Sequence, residues 1–179
     1  LPDTQADVDF MTGMTGHHAQ AIVISRWAPS HGASAAVLTL TSRIINAQQD
    51  EIVTMERWLR DRQRAIPEPN ASGMMMMKMD GMEHMMMMPG MLTEEQMKQL
   101  DAARGPEFDR LFLTFMIQHH RGAVSMVTDL FSTYGAGQDE PVFNFASDVN
   151  VHPQTDIASR ANILIDETLS ATITDHPFA

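Results

Sequence analysis

Cysteine is missing from the sequence, and positive charge and long apolar runs are scarce. Without cysteine there are no disulfides and no thiolate metal sites, which excludes zinc fingers, iron–sulfur clusters and cysteine nucleophiles. A formal net charge of −11 argues against binding to nucleic acid or anionic lipid, and it favours cations as ligands. No run of about twenty apolar residues occurs, so we predict no membrane span.

Methionine is the residue in excess, with 17 in 179 positions. Most of them lie in a low-complexity stretch, residues 67–92, which we call the Met-rich segment. Its candidate metal ligands are Met74, Met75, Met76, Met77, Met79, Met82, His84, Met85, Met86, Met87, Met88 and Met91. A thioether is a soft, neutral ligand that suits copper(I) or silver(I) and binds magnesium poorly. The alternative is an adhesive surface that docks apolar partners.

Glycine, proline and consecutive methionines make a packed helix improbable in the Met-rich segment. We therefore expect it to be mobile and to lie outside the core. Elsewhere, apolar residues recur at helical spacing and predict an all-α protein. The predicted helices cover residues 7–28, 34–66, 93–103, 107–134 and 139–169. Pro153 lies inside the last of them and predicts a kink after Val149.

An internal repeat relates the two halves of the chain. The pattern Asp7-x-x-Phe10-x-x-x-Met14-x-x-His17-His18-x-x-Ala21 recurs as Asp109-x-x-Phe112-x-x-x-Met116-x-x-His119-His120-x-x-Ala123. Seven positions of residues 7–21 are identical at this constant offset of 102. We therefore predict one four-helix bundle domain made of two repeated helical hairpins. Residues 1–66 form the first hairpin, residues 67–92 the linker, and residues 93–179 a short extra helix and the second hairpin.

This repeated motif, followed by Gln48-x-x-Glu51-Ile52-x-x-Met55-x-x-Trp58-Leu59, resembles the bacterial domain-of-unknown-function-305 family. The resemblance implies a ferritin-like helical bundle, export from the cytoplasm and kinship with periplasmic copper-binding proteins. The second hairpin departs from the pattern, because alignment on Ile52 and Ile157 puts Pro153 in place of Gln48 and Arg160 in place of Met55. A cation at Arg160 would repel a metal ion, so we expect tighter binding in the first hairpin.

The His-His pairs are the second set of candidate ligands. A helical wheel places His17 and His119 on the buried stripes, and His18 and His120 at their edges, where we expect them to be more accessible. The bundle candidates are Met14, His17, His18, Met55, Met116, His119, His120 and Met126. A buried histidine is as consistent with a structural role, hydrogen-bonded for instance to Gln48, as with metal binding. We expect His31, His152 and His176 to be solvated.

The pattern favours an extracytoplasmic copper(I)-binding protein, periplasmic or secreted, that acts as a carrier or buffer through methionine and histidine ligands. Thioethers do not cross-link in oxidising compartments as thiols do, and we expect an export signal upstream of Leu1. Silver(I) would serve as a surrogate, and a copper-donor or copper-acceptor protein is a candidate partner. We expect no enzyme. The alternatives are a ferritin-like metal-dependent oxidase, against which the absence of Glu-x-x-His counts, or a non-metal interaction module.

Overall fold

The computed structural model describes residues 3–79 and 82–150. The predicted kink at Pro153, together with Arg160, His152 and His176, lies outside them. Helix α1 (Gln5–Ser25) begins with a capping box in which Thr4 and Asp7 bond each other's backbone N–H groups. Helix α2 (Ala35–Asp61) is capped by Ser34, whose side chain accepts a hydrogen bond from the Val37 N–H.

Both helices of the first hairpin end earlier than predicted. Helix α1 gives way at Arg26 to a run of turns that leads into Pro29, because the residue before a proline disfavours the helical conformation. Helix α2 ends at Asp61, where Gln63 adopts a left-handed conformation with φ of 55°.

The second half repeats this arrangement. The short helix α3 (Glu94–Ala102) opens with a capping box between Thr93 and Gln96. Helix α4 (Pro106–Ser132) carries its proline in the first turn, where a missing N–H costs nothing. A fifth helix, α5, begins at residue 140 and is described as far as residue 150. The predicted all-α bundle of two repeated hairpins with a short extra helix is confirmed.

The aspartates of the repeated motif tie each hairpin to the other. Asp7 accepts a hydrogen bond from the Gly137 N–H at 2.7 Å, in the loop that precedes α5. Asp109 accepts one from the Ser34 N–H at 3.0 Å, at the start of α2. Each buried carboxylate therefore fixes the loop of the opposite hairpin, which explains why the motif begins with aspartate in both halves.

Two apolar clusters fill the bundle on either side of the histidines. One contains Phe10, Met14, Trp58, Val127 and Phe145. The other contains Ile24, Val37, Leu100, Phe108 and Phe112. Within the described part of the chain, no helix is both long enough and apolar enough to cross a bilayer.

The Met-rich segment contains a two-stranded antiparallel hairpin, formed by β1 (Met75–Met79) and β2 (Met82–Met86). Its register pairs Met75 with Met86 and Met77 with His84. The prediction that the segment lies outside the core is wrong at both of its ends, because Met75 and Met91 are only 1% and 2% exposed. The physical reason is that Gly13 and Gly16 of α1 and Gly122 of α4 leave room for the segment to pack against the bundle.

Candidate metal centre

His17 and His119 meet in the middle of the bundle. Their imidazole centroids are 3.6 Å apart with the ring planes tilted by 35°, and each residue is 1% exposed. They occupy equivalent positions of the repeat on α1 and α4, so the pseudo-twofold symmetry brings them together. The inward placement that the helical wheel predicts is correct. However, the two rings share one location and do not serve separate hairpin sites.

The hydrogen bonds of these two imidazoles leave one ring nitrogen without a partner among the described residues. His17 Nε2 lies 3.1 Å from the Pro89 carbonyl oxygen, and because a carbonyl only accepts, the ring nitrogen donates and Nδ1 keeps its lone pair. His119 Nε2 is buried without a hydrogen-bond partner among the described residues. The predicted partner of His17, Gln48, does not bond it, and Gln48 Oε1 is itself unpartnered there.

Both imidazoles are held neutral. Burial lowers the pKa of His17 to about 3, helped by repulsion from His18 and His120. Burial lowers the pKa of His119 well below its ordinary value, and repulsion from His17, His120 and His18 adds to it. Protons therefore do not compete for these nitrogens at neutral or mildly acidic pH, and a neutral imidazole is the form that binds a metal.

His18 and His120 differ from each other, and only His18 departs from the prediction. His18 is buried, at 4% exposure, and its Nε2 donates to Glu51 Oε2 at 2.6 Å. The expectation of an accessible His18 is wrong because Phe145 of α5 packs near it, with centroids 6.2 Å apart. His120 is half-buried, and its Nδ1 donates to the Met116 carbonyl at 2.8 Å.

His31 also departs from the prediction of a solvated side chain. It is 5% exposed, stacks on Trp27 and lies against Phe108, with ring centroids 5.9 and 5.0 Å away. Its Nδ1 lies 2.9 Å from the Trp27 carbonyl, and its Nε2 lies 3.0 Å from the Asp101 carboxylate. His31 therefore joins the turn after α1 to the end of α3 and has a structural role.

The bundle methionines are all core residues. Met14, Met55 and Met116 are fully buried, and Met126 is 8% exposed. The Met55 sulfur lies 3.7 Å from the Thr15 hydroxyl, which donates to the Met11 carbonyl at 2.8 Å. Each thioether therefore packs in the interior, which is consistent both with a filling role and with a ligand held in place by its neighbours.

Glycines on α1 admit the Met-rich segment to the face that carries His17. The side chain of Met75 packs directly on Gly16, where a Cβ atom would collide with it. A Cβ atom on Gly13 would lie 2.7 Å from Met88 Sδ. Gly13, Gly16 and His17 share one side of α1, so both ends of the segment place a methionine against the helix side that carries His17.

Glutamine side chains fasten the same segment to the helices. Gln20 donates to the Leu92 carbonyl at 3.0 Å and accepts from the Leu92 N–H at 2.7 Å. Gln118 of α4 donates to the Gly90 carbonyl at 3.3 Å, and Gly90 packs against Gly122. The segment therefore covers the seam between α1 and α4 under which His17 and His119 lie.

The sequence matches a known family over most of its length. The profile of the family called Domain of unknown function (DUF305) matches residues 7–164. The chain belongs to the DUF305 family. No curated protein is significantly similar to it in sequence.

Solved structures share the DUF305 fold at low sequence identity. A Streptomyces coelicolor protein of this family, whose name describes it as secreted, aligns with a TM-score of 0.75 and 22% identity, covering 91% of this chain and 94% of that one. A DUF305 fragment from Deinococcus radiodurans aligns with a TM-score of 0.74 and 24% identity, covering 92% and 98%. CopM in the Cu(I)-bound form aligns with a TM-score of 0.66 and 23% identity, covering 89% and 96%. CopM also has Cu(II)-bound and silver-bound forms. These likenesses establish the fold.

In this DUF305 chain the structure brings together only part of the predicted ligand set. His17 and His119 meet in the interior, and Met75 and Met88 pack on Gly16 and Gly13 of the helix that carries His17. We call these two histidines and two methionines the candidate centre. Met74 is half-buried and Met87 is 49% exposed, while Met76, Met77, Met79, Met82, His84, Met85 and Met86 are placed in the hairpin by their backbone pairing. Among the described residues, no group of three or more His, Asp or Glu side chains is arranged to hold a metal ion. The donors that supplement the imidazoles at the candidate centre are thioethers.

Sequence reasoning missed the residues that build the cover of this centre. Gly13 and Gly16 are conspicuous in the sequence because glycine costs about 1 kcal/mol in a helix interior. Two such residues in one helix indicate that another segment packs closely there, and this was the available signal. Pro89 and Gln20 gave no comparable signal. Glu51 lies three residues after Gln48 in the motif, yet its bond to His18 depends on how α1 and α2 face each other.

Proposed function

We propose that this DUF305 protein binds copper(I) outside the cytoplasm and serves as a carrier or buffer for the ion. One observation carries the proposal. The paired imidazoles of His17 and His119 are buried, neutral and incompletely hydrogen-bonded, and they lie beneath a segment that brings Met75 and Met88 against the same helix face.

The donor chemistry of this arrangement matches copper(I) better than harder cations. Imidazole nitrogen suits copper, and thioether sulfur selects copper(I) and silver(I) over magnesium or calcium. Both donors are neutral, so a monovalent ion keeps a single positive charge when it is bound, and the protein's net charge of −11 favours that charge. Binding releases no proton at neutral pH, because the imidazoles are already deprotonated.

The solved relatives support the same metal. CopM, of the same fold, has Cu(I)-, Cu(II)- and silver-bound forms. The Streptomyces coelicolor relative, whose name describes it as secreted, and the absence of cysteine support a location outside the cytoplasm. Holding and passing on the ion requires no catalytic step, and the proposal includes none.

The test is copper(I) stoichiometry measured by competition with a chromogenic chelator. The wild-type chain is compared with a variant that lacks the side-chain donors of the hairpin, which we call the hairpin-silent variant. In it, His84 is replaced by asparagine, and leucine replaces the methionines at Met76, Met77, Met79, Met82, Met85 and Met86. We expect several ions on the wild type and at least one on the hairpin-silent variant. His17→Leu and His119→Leu in that background should remove the remaining ion. A wild type that binds no copper(I) would overturn the proposal, and a docking module or an oxidase would then have to be considered.

A further inference from the structure

An open groove of about 270 Å³ lies where α1, α4 and the end of the Met-rich segment meet. Asp9 of α1 and Asp129 of α4 line it, and both are exposed. Met88, Pro89 and Met126 also line the groove. Among the described residues that line it there is no lysine, arginine or histidine. The groove therefore combines two carboxylates with two thioethers.

The two thioethers of this acidic groove meet over Gly13. A Cβ atom on Gly13 would lie 2.7 Å from Met88 Sδ and 3.3 Å from Met126 Cε, so these two atoms are at most about 6 Å apart. Met88 is half-buried and Met126 is 8% exposed. Glycine at this position leaves the space that lets two soft donors approach each other beside solvent.

The acidic groove adjoins the candidate centre through Met88, which belongs to both, and through Pro89. Pro89 lines the groove, and its carbonyl oxygen accepts the hydrogen bond from His17 Nε2 at 3.1 Å. The buried imidazoles are otherwise closed off, since His17 and His119 are each 1% exposed. An ion that reaches them has to pass some part of their cover, and Met88 and Pro89 belong to that cover.

We propose that the acidic groove is the port through which copper(I) or silver(I) reaches and leaves the candidate centre. Asp9 and Asp129 concentrate the cation at the mouth, and the sulfur of Met126 holds it in passing. Met88, which lines the groove and belongs to the candidate centre, then takes it over. The step is an exchange of neutral ligands, in which water is replaced by sulfur and sulfur by nitrogen, so no electron or proton is transferred. The inference rests on the proposed function, because it assigns the route to the site named there.

A port and a final binding site predict opposite effects on release. A ligand of the final site slows release, so its removal makes release faster. A transfer ligand lowers the barrier in both directions, so its removal slows capture and release together and leaves the affinity unchanged. Carboxylates at the mouth act on capture, because charge of one sign in a cleft raises the rate at which an opposite charge arrives, and salt screens this effect.

The experiment measures affinity and release separately in the full chain and in the hairpin-silent variant. Affinity comes from competition with a chromogenic copper(I) chelator. Release comes from rapid mixing of copper(I)-loaded protein with excess chelator, and the two together give the capture rate. Met126→Leu is compared with Met97→Leu, a methionine of α3 with a similar exposure of 7%. Asp9→Asn/Asp129→Asn is compared with Asp50→Asn/Asp61→Asn, an exposed pair on α2.

We expect Met126→Leu to slow capture and release by about threefold or more with unchanged affinity, and Met97→Leu to change neither. We expect the Asp9/Asp129 variant to slow capture several-fold at low salt, with the difference lost at high salt, and the Asp50/Asp61 variant to have little effect. Faster release from Met126→Leu, or wild-type rates in both groove variants, would overturn the port while leaving the proposed function intact. Absence of copper(I) binding by the wild type would overturn both.

Discussion

At the scale of single residues, the same histidines that the repeat singles out divide into different roles. The wheel predicts that His17 and His119 face inward because a helical period depends on one chain segment alone. The burial of His18 beside Phe145 and its bond to Glu51 could not be predicted, because they depend on how three helices pack. The contact of His17 with Pro89 spans 72 residues of sequence and has no local signal.

The lowered pKa of His17 makes the stability of the metal-free protein depend on pH. The folded-state pKa of about 3 lies below the unfolded value of about 6.5, so the unfolded chain takes up the proton first. The contribution of the neutral imidazole to stability is therefore fully present above pH 6.5. It is lost as the pH falls from 6.5 to about 3, at up to about 1.4 kcal/mol per pH unit for each such group. We expect the free energy of unfolding, measured in urea, to fall between pH 6.5 and 5. This interval lies above the range where most carboxylates titrate.

The control for this pH effect is His17→Gln, which keeps a donor for the Pro89 carbonyl but carries no titratable ring. Its stability should fall less steeply over the same interval, and the remaining slope should belong mainly to His119. A wild-type free energy of unfolding that is constant or rises from pH 6.5 to 5 would contradict the burial of neutral imidazoles.

At the scale of elements, the helices follow from local sequence and the Met-rich segment does not. Apolar periodicity locates α1 to α4 to within a few residues, because the signals of each helix lie within its own stretch. The hairpin formed by β1 and β2 is mostly methionine, interrupted by Lys78, Glu83 and His84, and has no sustained apolar–polar alternation to set its register. Its attachment depends instead on Gly16 of α1 and Gly122 of α4, which are distant in sequence.

Gly16→Ala should destabilise the protein, although alanine is normally the better helix former by about 1 kcal/mol. The added methyl group would collide with the buried side chain of Met75, and overpacking typically costs about 1–3 kcal/mol. We expect a net loss of about 1–2 kcal/mol in chemical denaturation. The double variant Gly16→Ala/Met75→Ala should recover part of that loss. A single variant more stable than the wild type would show that Met75 does not occupy this space.

Shortening the Met-rich segment should separate its packed ends from its hairpin. Replacing residues 76–86 with an Asn-Gly turn removes the paired strands but keeps Met75, Met88 and Met91, so the melting temperature should change little while copper(I) stoichiometry falls. Deleting residues 73–90 removes the cover itself and exposes the imidazoles, so thermal scanning should show a melting temperature lower by many degrees. Equal melting temperatures for the two deletions would contradict the packing of the ends.

At the scale of the whole molecule, the repeat and the family motif predict the bundle, and the composition predicts its ligand class. Both predictions follow from features that need no geometry: identical residues at a constant offset and an excess of thioethers without thiols. What composition could not predict is that the two sets of candidate ligands come to the same side of α1. The cover of the seam between α1 and α4 packs there, through Met75, Met88 and Pro89.

Selectivity is a property of this whole donor set. Isothermal titration should detect several silver(I) ions per chain and negligible calcium or magnesium, because hard cations prefer oxygen ligands. The trimmed protein with an Asn-Gly turn serves as the control, and it should lose most silver sites while remaining insensitive to calcium. Calcium binding tighter than silver binding would contradict the thioether assignment.

The most direct test of the central claim is a crystal structure of the hairpin-silent variant loaded with one equivalent of silver(I), in which anomalous scattering locates the metal. The account predicts one dominant peak beside the imidazoles of His17 and His119, within bonding distance of Met75 or Met88 sulfur. A dominant peak at the His18–Glu51 pair, at exposed Met87, or elsewhere on the surface would contradict it.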